Sequence, residues 1–310
     1  MDTRRIGSLE VSIVGLGCNN FGGRLDQERT TAVVDAALDS GITFFDTADI
    51  YGETRSEEYL GKALGPRRDD VVVATKFGVP YEGHEGGAAP AYVRRAVHDS
   101  LRRLGTDRID LYQVHFPDAN TPIADTLGAL RELVTQGVVR EIGCSNVTAD
   151  QLREADTAAG GSGARFVSVQ NHYNILHREP EGPGGVLQVC GDLDVAFLPY
   201  FPLANGLLTG KYRPGRPPPE GSRIAGMPTQ RTADLMSEKA MAVVGELGAM
   251  AAEASCSLVD LAVGWLLSRP VVSSVIAGAT TPDQVRANAA AGATRLDAGL
   301  LARVDAIVPD

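Results

Sequence analysis

The sequence predicts a single (β/α)8 barrel over residues 1–310, and three observations carry that prediction. Apolar runs recur eight times along the chain, each continuous rather than alternating. That pattern is what strands of a parallel sheet buried on both faces require. Helix-forming stretches with capping signals separate the runs, so strand and helix alternate from end to end. A length of 310 residues by itself suits either two domains of about 150 residues or one barrel of about 250 with long loops. The unbroken alternation decides for one barrel.

In chain order, Arg4 to Val11 reads as a short hairpin ahead of a first buried strand, Ile13 to Gly17. A helix over Arg29–Ser40 follows, with Gly41 placed to close it at positive φ. The second run is Ile42–Phe45, and the next helix, Ser56–Leu64, is stopped by Gly65-Pro66. Val71–Ala74 is the third strand, Pro90–Leu104 its helix, and Ile109–Val114 the fourth strand. Thr121-Pro122 predicts an N-cap and first-turn proline for a helix reaching Gln136-Gly137. Val138–Ile142 is the fifth run, and Thr148-x-x-Gln151 is a capping box. Phe166–Val169, Val195–Leu198 and Val271–Ile276 complete the eight strands. Thr281-Pro282-Asp283-Gln284 again reads as cap, proline and capping box. Two segments interrupt the rhythm, Tyr81–Ala89 and Arg213–Pro228. Both are βα connections, which open on the face where barrels carry their sites, and both are expected to shape the substrate site.

Composition narrows the function. A 44% hydrophobic chain is no disordered tail, and no run of about 18 apolar residues suggests a membrane span. The N-terminal Met1-Asp2-Thr3-Arg4-Arg5 lacks the apolar stretch of a secretory signal. Cys18, Cys144, Cys190 and Cys256 form no Cys-x-x-Cys pair, so reduced thiols in the cytoplasm, without a metal, are expected. A net charge of −10 disfavours nucleic acid as partner. No motif speaks to oligomeric state.

Chemistry gathers where strands end. Asp46 closes the second strand, Lys76 the third and His115 the fourth, with Tyr51 on the loop after Asp46. Strand ends at a barrel mouth converge, so these four side chains are expected to meet. A phenol of ordinary pKa about 10 is a poor acid at neutral pH. An ammonium about 4 Å away stabilises the phenolate by about 4 kcal/mol at an effective dielectric near 20. Asp46 would hold Lys76 charged, and His115 could donate to an oxygen gaining negative charge. Such a set suits a carbonyl that receives a nucleophile such as hydride. Cys18 and Cys144, near the same strand ends, are candidates for oxidation. Asn19, Asn20, Phe21, Phe77, Tyr81 and Phe116 are candidate pocket walls, and Trp265 is expected in the core.

The stretch Gly41-Ile42-Thr43-Phe44-Phe45-Asp46-Thr47-Ala48-Asp49-Ile50-Tyr51-Gly52 resembles the signature of the aldo-keto reductase superfamily. The likeness continues through Val73–Lys76, Gln113–His115, Gly143–Asn146, Gln170–Asn174 and Pro202–Tyr212. It implies a TIM-barrel enzyme that reduces an aldehyde or ketone, a small-molecule carbonyl substrate, with hydride from NADPH or NADH. Asp46, Tyr51, Lys76 and His115 then form the catalytic tetrad, with Tyr51 as general acid. By the same resemblance, Ser145, Asn146 and Gln170 hydrogen-bond the nicotinamide carboxamide and Tyr200 stacks on its ring. Phe201, Leu203 and Asn205 line the pyrophosphate, with Lys211 as charge partner, and Gly278, Thr280, Gln284 and Asn288 meet the adenosine phosphate. No Gly-x-Gly-x-x-Gly supports a Rossmann site instead. The chain departs from the pattern at Gly278 and Gln284, where some members carry a Lys and an Arg, and at Ala287, where an acid is common. Arg223 is then the candidate grip on a 2′-phosphate, which favours NADP. Two other readings stand beside this one: a Schiff-base lyase using Lys76, and a nicotinamide-binding regulatory subunit like the potassium-channel β subunits.

Overall fold

The computed structural model describes residues 1–161 and 164–307. Strands β1 (Thr3–Ile6) and β2 (Leu9–Ser12) pair antiparallel as a hairpin. Eight parallel strands follow: β3 (Val14–Gly17), β4 (Phe44–Asp46), β5 (Val72–Phe77), β6 (Ile109–Val114), β7 (Val139–Ser145), β8 (Phe166–His172), β9 (Ala196–Tyr200) and β10 (Val275–Gly278). They form one sheet in the order β10-β3-β4-β5-β6-β7-β8-β9. The barrel closes through the residues just before β10. Phe197 N–H donates to Val271 O at 2.7 Å and Ser273 N–H to Phe197 O at 3.1 Å. One apolar run, Val271–Ile276, thus bonds first to β9 and then, shifted along, to β3, and this is why β10 begins later than the run.

Inside the barrel, Phe44, Val72, Ala74, Leu111, Leu198 and Ile276 pack on Ile6, Leu9 and Val11 of the hairpin, which covers the N-terminal end. The larger core lies outside, between the strands and the helices. Trp265, fully buried in helix Leu258–Leu267, belongs to that outer core. So do Phe21 and Phe77, which are therefore not pocket walls; Phe77 stacks on Tyr112 with centroids 4.6 Å apart.

Most helix signals are met. Gly41 and Gly65 take positive φ, and Thr148 with Gln151 forms the full capping box. Helix Gln27–Asp39 starts two residues early because Asp26 caps it. Thr121 does not cap helix Ile123–Thr135: its hydroxyl donates to Asp118 Oδ2 at 2.8 Å. The box expected at Thr281 is half made. Thr281 Oγ1 accepts from Gln284 N–H at 3.3 Å, but the Gln284 side chain turns to Thr280 instead. No single helix among the described residues is long and apolar enough to cross a membrane.

Candidate active site

The C-terminal ends of the strands carry a deep polar cluster. Lys76, fully buried on β5, donates to Asp46 Oδ2 at 2.6 Å, to Thr47 O at 2.9 Å and to the Tyr51 hydroxyl at 3.4 Å. The other Asp46 oxygen accepts from Gln170 at 2.8 Å and Gln113 at 3.3 Å. Asp46 is thus clamped from three strands besides its own. Tyr51 meets the His115 ring edge-on at 5.8 Å. The loop bearing Tyr51 depends on Gly52: at φ +58°, a Cβ there would sit 2.2 Å from Phe21 O, so no larger residue fits.

Charge in this cluster follows from burial. Burial pulls the Lys76 ammonium down, but Asp46 and Tyr51 outweigh it and leave its pKa raised. A charged lysine is no nucleophile, so the Asp46–Lys76 contact argues against the Schiff-base reading. Burial also dominates at Tyr51, where it exceeds the opposing pull of Lys76 and holds the phenol above 10. The stabilisation expected from the Lys76 charge is thus outweighed, because that expectation left out the desolvation. Burial, with the Lys76 charge, pushes His115 down to about 3, so its imidazole is neutral. The Cys18 and Cys144 thiols are pushed well up by burial, which makes them poor targets for oxidation.

One cavity opens on this cluster and a second adjoins it. The first, about 430 Å³, is lined by Asp46, Tyr51, His115, Phe116, Asn19 and Cys18, and by Ser145, Asn146, Gln170 and Tyr200. Lys76 stands behind its wall. The second, about 370 Å³, holds Leu203, Asn205, Lys211, Thr280, Gln284 and Asn288. Phe201, Arg223 and Gly278 line both. Every residue that the resemblance assigned to a cofactor therefore borders one continuous groove.

Several of these side chains already have protein partners. Ser145 donates to Gln170 O at 2.6 Å, and the Asn146 amide donates to His115 O at 2.9 Å. Asn146 Oδ1 accepts from the Tyr200 hydroxyl at 2.7 Å, which sets the plane of the Tyr200 ring. Gln284 Oε1 accepts from Thr280 N–H at 2.8 Å and from its hydroxyl at 3.2 Å, bracing the turn after β10. Phe201, Ala204 and Asn205 all take left-handed φ. Such strain costs on the order of 1–3 kcal/mol per residue and concentrates where backbone meets ligand.

The second cavity is cationic. Arg24, Lys211 and Arg223 line it, and among the described residues no carboxylate does. Arg223 packs over Phe201 at 5.0 Å and Lys211 over Tyr212 at 5.4 Å, while Arg24 donates to Gly221 O at 2.6 Å. None of these contacts neutralises a charge, and burial followed by Arg24 lowers the Arg223 pKa. Asn20, expected as a pocket wall, lines this cavity, whereas Arg24 was not picked out by sequence. The available signal was position: Arg24 lies in the connection after the first barrel strand, and such connections open on the mouth. Of the two long connections, Gly221–Arg223 reaches the groove. Tyr81–Ala89 lines neither cavity: Tyr81 stacks on His84, His84 faces Asp99, and Ala88 N–H is held by Asp118. That loop is drawn toward Asp99 on helix Pro90–Leu104 at one end and toward Asp118, in the connection after β6, at the other.

A family model described as the aldo/keto reductase family matches residues 13–309. The chain belongs to the aldo/keto reductase family. Its barrel superposes on the aldo-keto reductase AKR11C1 from Bacillus halodurans (holo form) with a TM-score of 0.83 at 33% identity, covering 100% of this chain and 97% of that one. An aldo-keto reductase of Schizosaccharomyces pombe named yakc [NADP(+)] is 34% identical over 86% of this chain and 79% of its own. A probable voltage-gated potassium channel subunit beta of Oryza sativa subsp. japonica is also 34% identical, over 86% and 83%. As an aldo/keto reductase, the protein is an NAD(P)H-dependent oxidoreductase acting on small molecules. The groove fits a nicotinamide dinucleotide on its own terms: it is cationic, and Asn20 Oδ1 and Asn205 Oδ1 along it are buried without a partner among the described residues.

Proposed function

We propose that the protein reduces an aldehyde or ketone to the alcohol, with NADPH as preferred cofactor and Tyr51 as general acid. The observation that carries this reading is the Asp46–Lys76–Tyr51 chain of contacts at the floor of one cavity, continuous with a cationic groove. A bound reduced nicotinamide would supply the hydride. Tyr51, held protonated by burial, donates its Oη proton to the carbonyl oxygen as that oxygen gains charge. Lys76 stabilises the phenolate left behind, and Asp46 keeps Lys76 charged and aimed. Neutral His115 donates a hydrogen bond to the same oxygen without giving up a proton.

At the other end, Arg24, Lys211 and Arg223 favour the more highly charged NADPH over NADH. Ser145, Asn146 and Gln170 would orient the carboxamide, with Tyr200 against the ring. Phe201, Leu203, Asn205, Gly278, Thr280, Gln284 and Asn288 would line the path of the phosphates and adenosine. The test is turnover of 4-nitrobenzaldehyde with NADPH and then NADH, followed at the nicotinamide absorbance. Faster turnover per micromolar NADPH is expected. No turnover with either cofactor would refute the enzyme reading and leave the binding-subunit role suggested by the rice relative.

A further inference from the structure

Between Asp46 and Tyr51 lies a second buried carboxyl, Asp49, which no step of the proposed reaction uses. It is 1% exposed, and neither oxygen has a hydrogen-bond partner among the described residues. The Ile50 N–H lowers its pKa as a minor influence without reaching hydrogen-bond geometry. Its backbone N–H, in contrast, donates to Lys76 O at 3.0 Å, tying the Tyr51 loop to β5.

Charge balance isolates this side chain. The titratable groups around it are Glu57 on helix Arg55–Leu64, Lys76 on β5, Tyr81 on the loop after β5, Arg103 and Tyr92 on helix Pro90–Leu104, and Tyr112 on β6. Both cations are already committed. Arg103 Nε donates to Glu57 Oε2 at 2.6 Å, and Lys76 to Asp46 Oδ2 at 2.6 Å. The Thr75 hydroxyl holds the other Glu57 oxygen at 2.6 Å. Three carboxyls thus share two cations, and Asp49 is the one left over. The Tyr92 and Tyr112 hydroxyls, on both of which Asp49 is the leading charge, are themselves buried without a partner among the described residues. An unpaired carboxylate is strongly disfavoured in such surroundings, whereas the neutral acid carries a proton it can donate. Burial first, and Glu57 second, push its pKa up to about 8.

We propose that Asp49 is a positioning residue for Tyr51 that works as an un-ionised carboxylic acid, seating the Asp46–Gly52 turn while neutral and unseating it when ionised. The catalytic consequence rests on Tyr51 being the general acid; the seating of the turn does not. Because the folded-state pKa lies above the ordinary 3.8, stability is fully present below about pH 4. It is lost progressively as pH rises to about 8 and changes no further beyond that.

The experiment compares wild type with Asp49→Asn, following Tm and kcat from about pH 5 to about pH 10. The variant should gain Tm over wild type increasingly up to about pH 8, then hold that gain. Wild-type kcat should fall through about pH 8. The variant, scaled to its own neutral-pH value, should hold until Tyr51 ionises above 10. A Tm difference that does not change with pH overturns the proposal, and so does a wild-type kcat that does not fall near pH 8 or a fall that survives in the variant. Should Asp49→Asn not fold, infrared spectroscopy of the wild type decides. A protonated-carboxyl C=O band at neutral pH that vanishes through about pH 8 supports the proposal, and its absence overturns it. The Tm and infrared readouts need no turnover, so failure of the reductase reading would leave them intact.

Discussion

The two ends of the groove are built on opposite plans. At the Tyr51 end, Lys76 and Asp46 spend every strong interaction on each other and on Thr47, Gln113 and Gln170. At the Arg223 end, among the described residues, three cations share a cavity with no carboxylate. The first end is preorganised: a group that must hold a proton in one place gains from partners that are already fixed. The second is under-compensated, and an anionic ligand meets charges that no internal acid has cancelled. This also resolves how a chain of net charge −10 can bind a polyanion, because the local field at the groove has the opposite sign to the whole.

Substitutions at each end should therefore fail differently. The largest effect is expected from Tyr51→Phe, which should lower kcat by about 10³-fold or more while cofactor Kd, read by fluorescence titration, stays nearly constant. A comparable loss of binding would show that the two ends are not separable. Lys76→Met should cost about 3–5 kcal/mol of stability in urea unfolding, since it leaves the buried Asp46 charge uncompensated. A loss under about 1 kcal/mol would show that the Asp46 clamp stands without it.

Arg223→Ala should raise KM for NADPH by about 10–100-fold with little change in kcat, the equivalent of one charge-assisted hydrogen bond. Its effect on NADH should be smaller, and an equal effect on both would remove Arg223 from 2′-phosphate recognition. Gln284→Ala, which unbraces Thr280, should raise KM only several-fold, in line with loss of about 1 kcal/mol at a cap. At the closed end, His115 should contribute no acid limb to kcat near pH 6.5. Burial and Lys76 keep it neutral down to about pH 3, and a limb near 6.5 that disappears in His115→Asn would contradict that.

The barrel was legible because burial on both faces leaves continuous apolar runs, and Ile109–Val114 matches its strand residue for residue. Elsewhere the runs stop short of the strands. Thr75-Lys76-Phe77, Gly143-Cys144-Ser145 and Asn171-His172 continue β5, β7 and β8 beyond the apolar signal. Of those tails, Lys76 and Ser145 are polar because they serve the cavity at the mouth, whereas Phe77 and Cys144 turn to the outer core. Loop destinations were less legible. Tyr81–Ala89 and Arg213–Pro228 look alike in composition, yet only the second reaches the groove, since Asp118 and Asp99 draw the first aside.

By itself, then, the sequence determined the alternation of strands and helices, most helix caps and the residue types that end each strand, because these depend on neighbours a few positions apart. Only the tertiary structure decided the protonation of Tyr51, His115 and Asp49, the pairing that leaves Asp49 without a cation, and the convergence of Arg24 with Arg223. Each of those depends on how many atoms replace water around a group, and on which charges from distant parts of the chain come within a few ångströms of it.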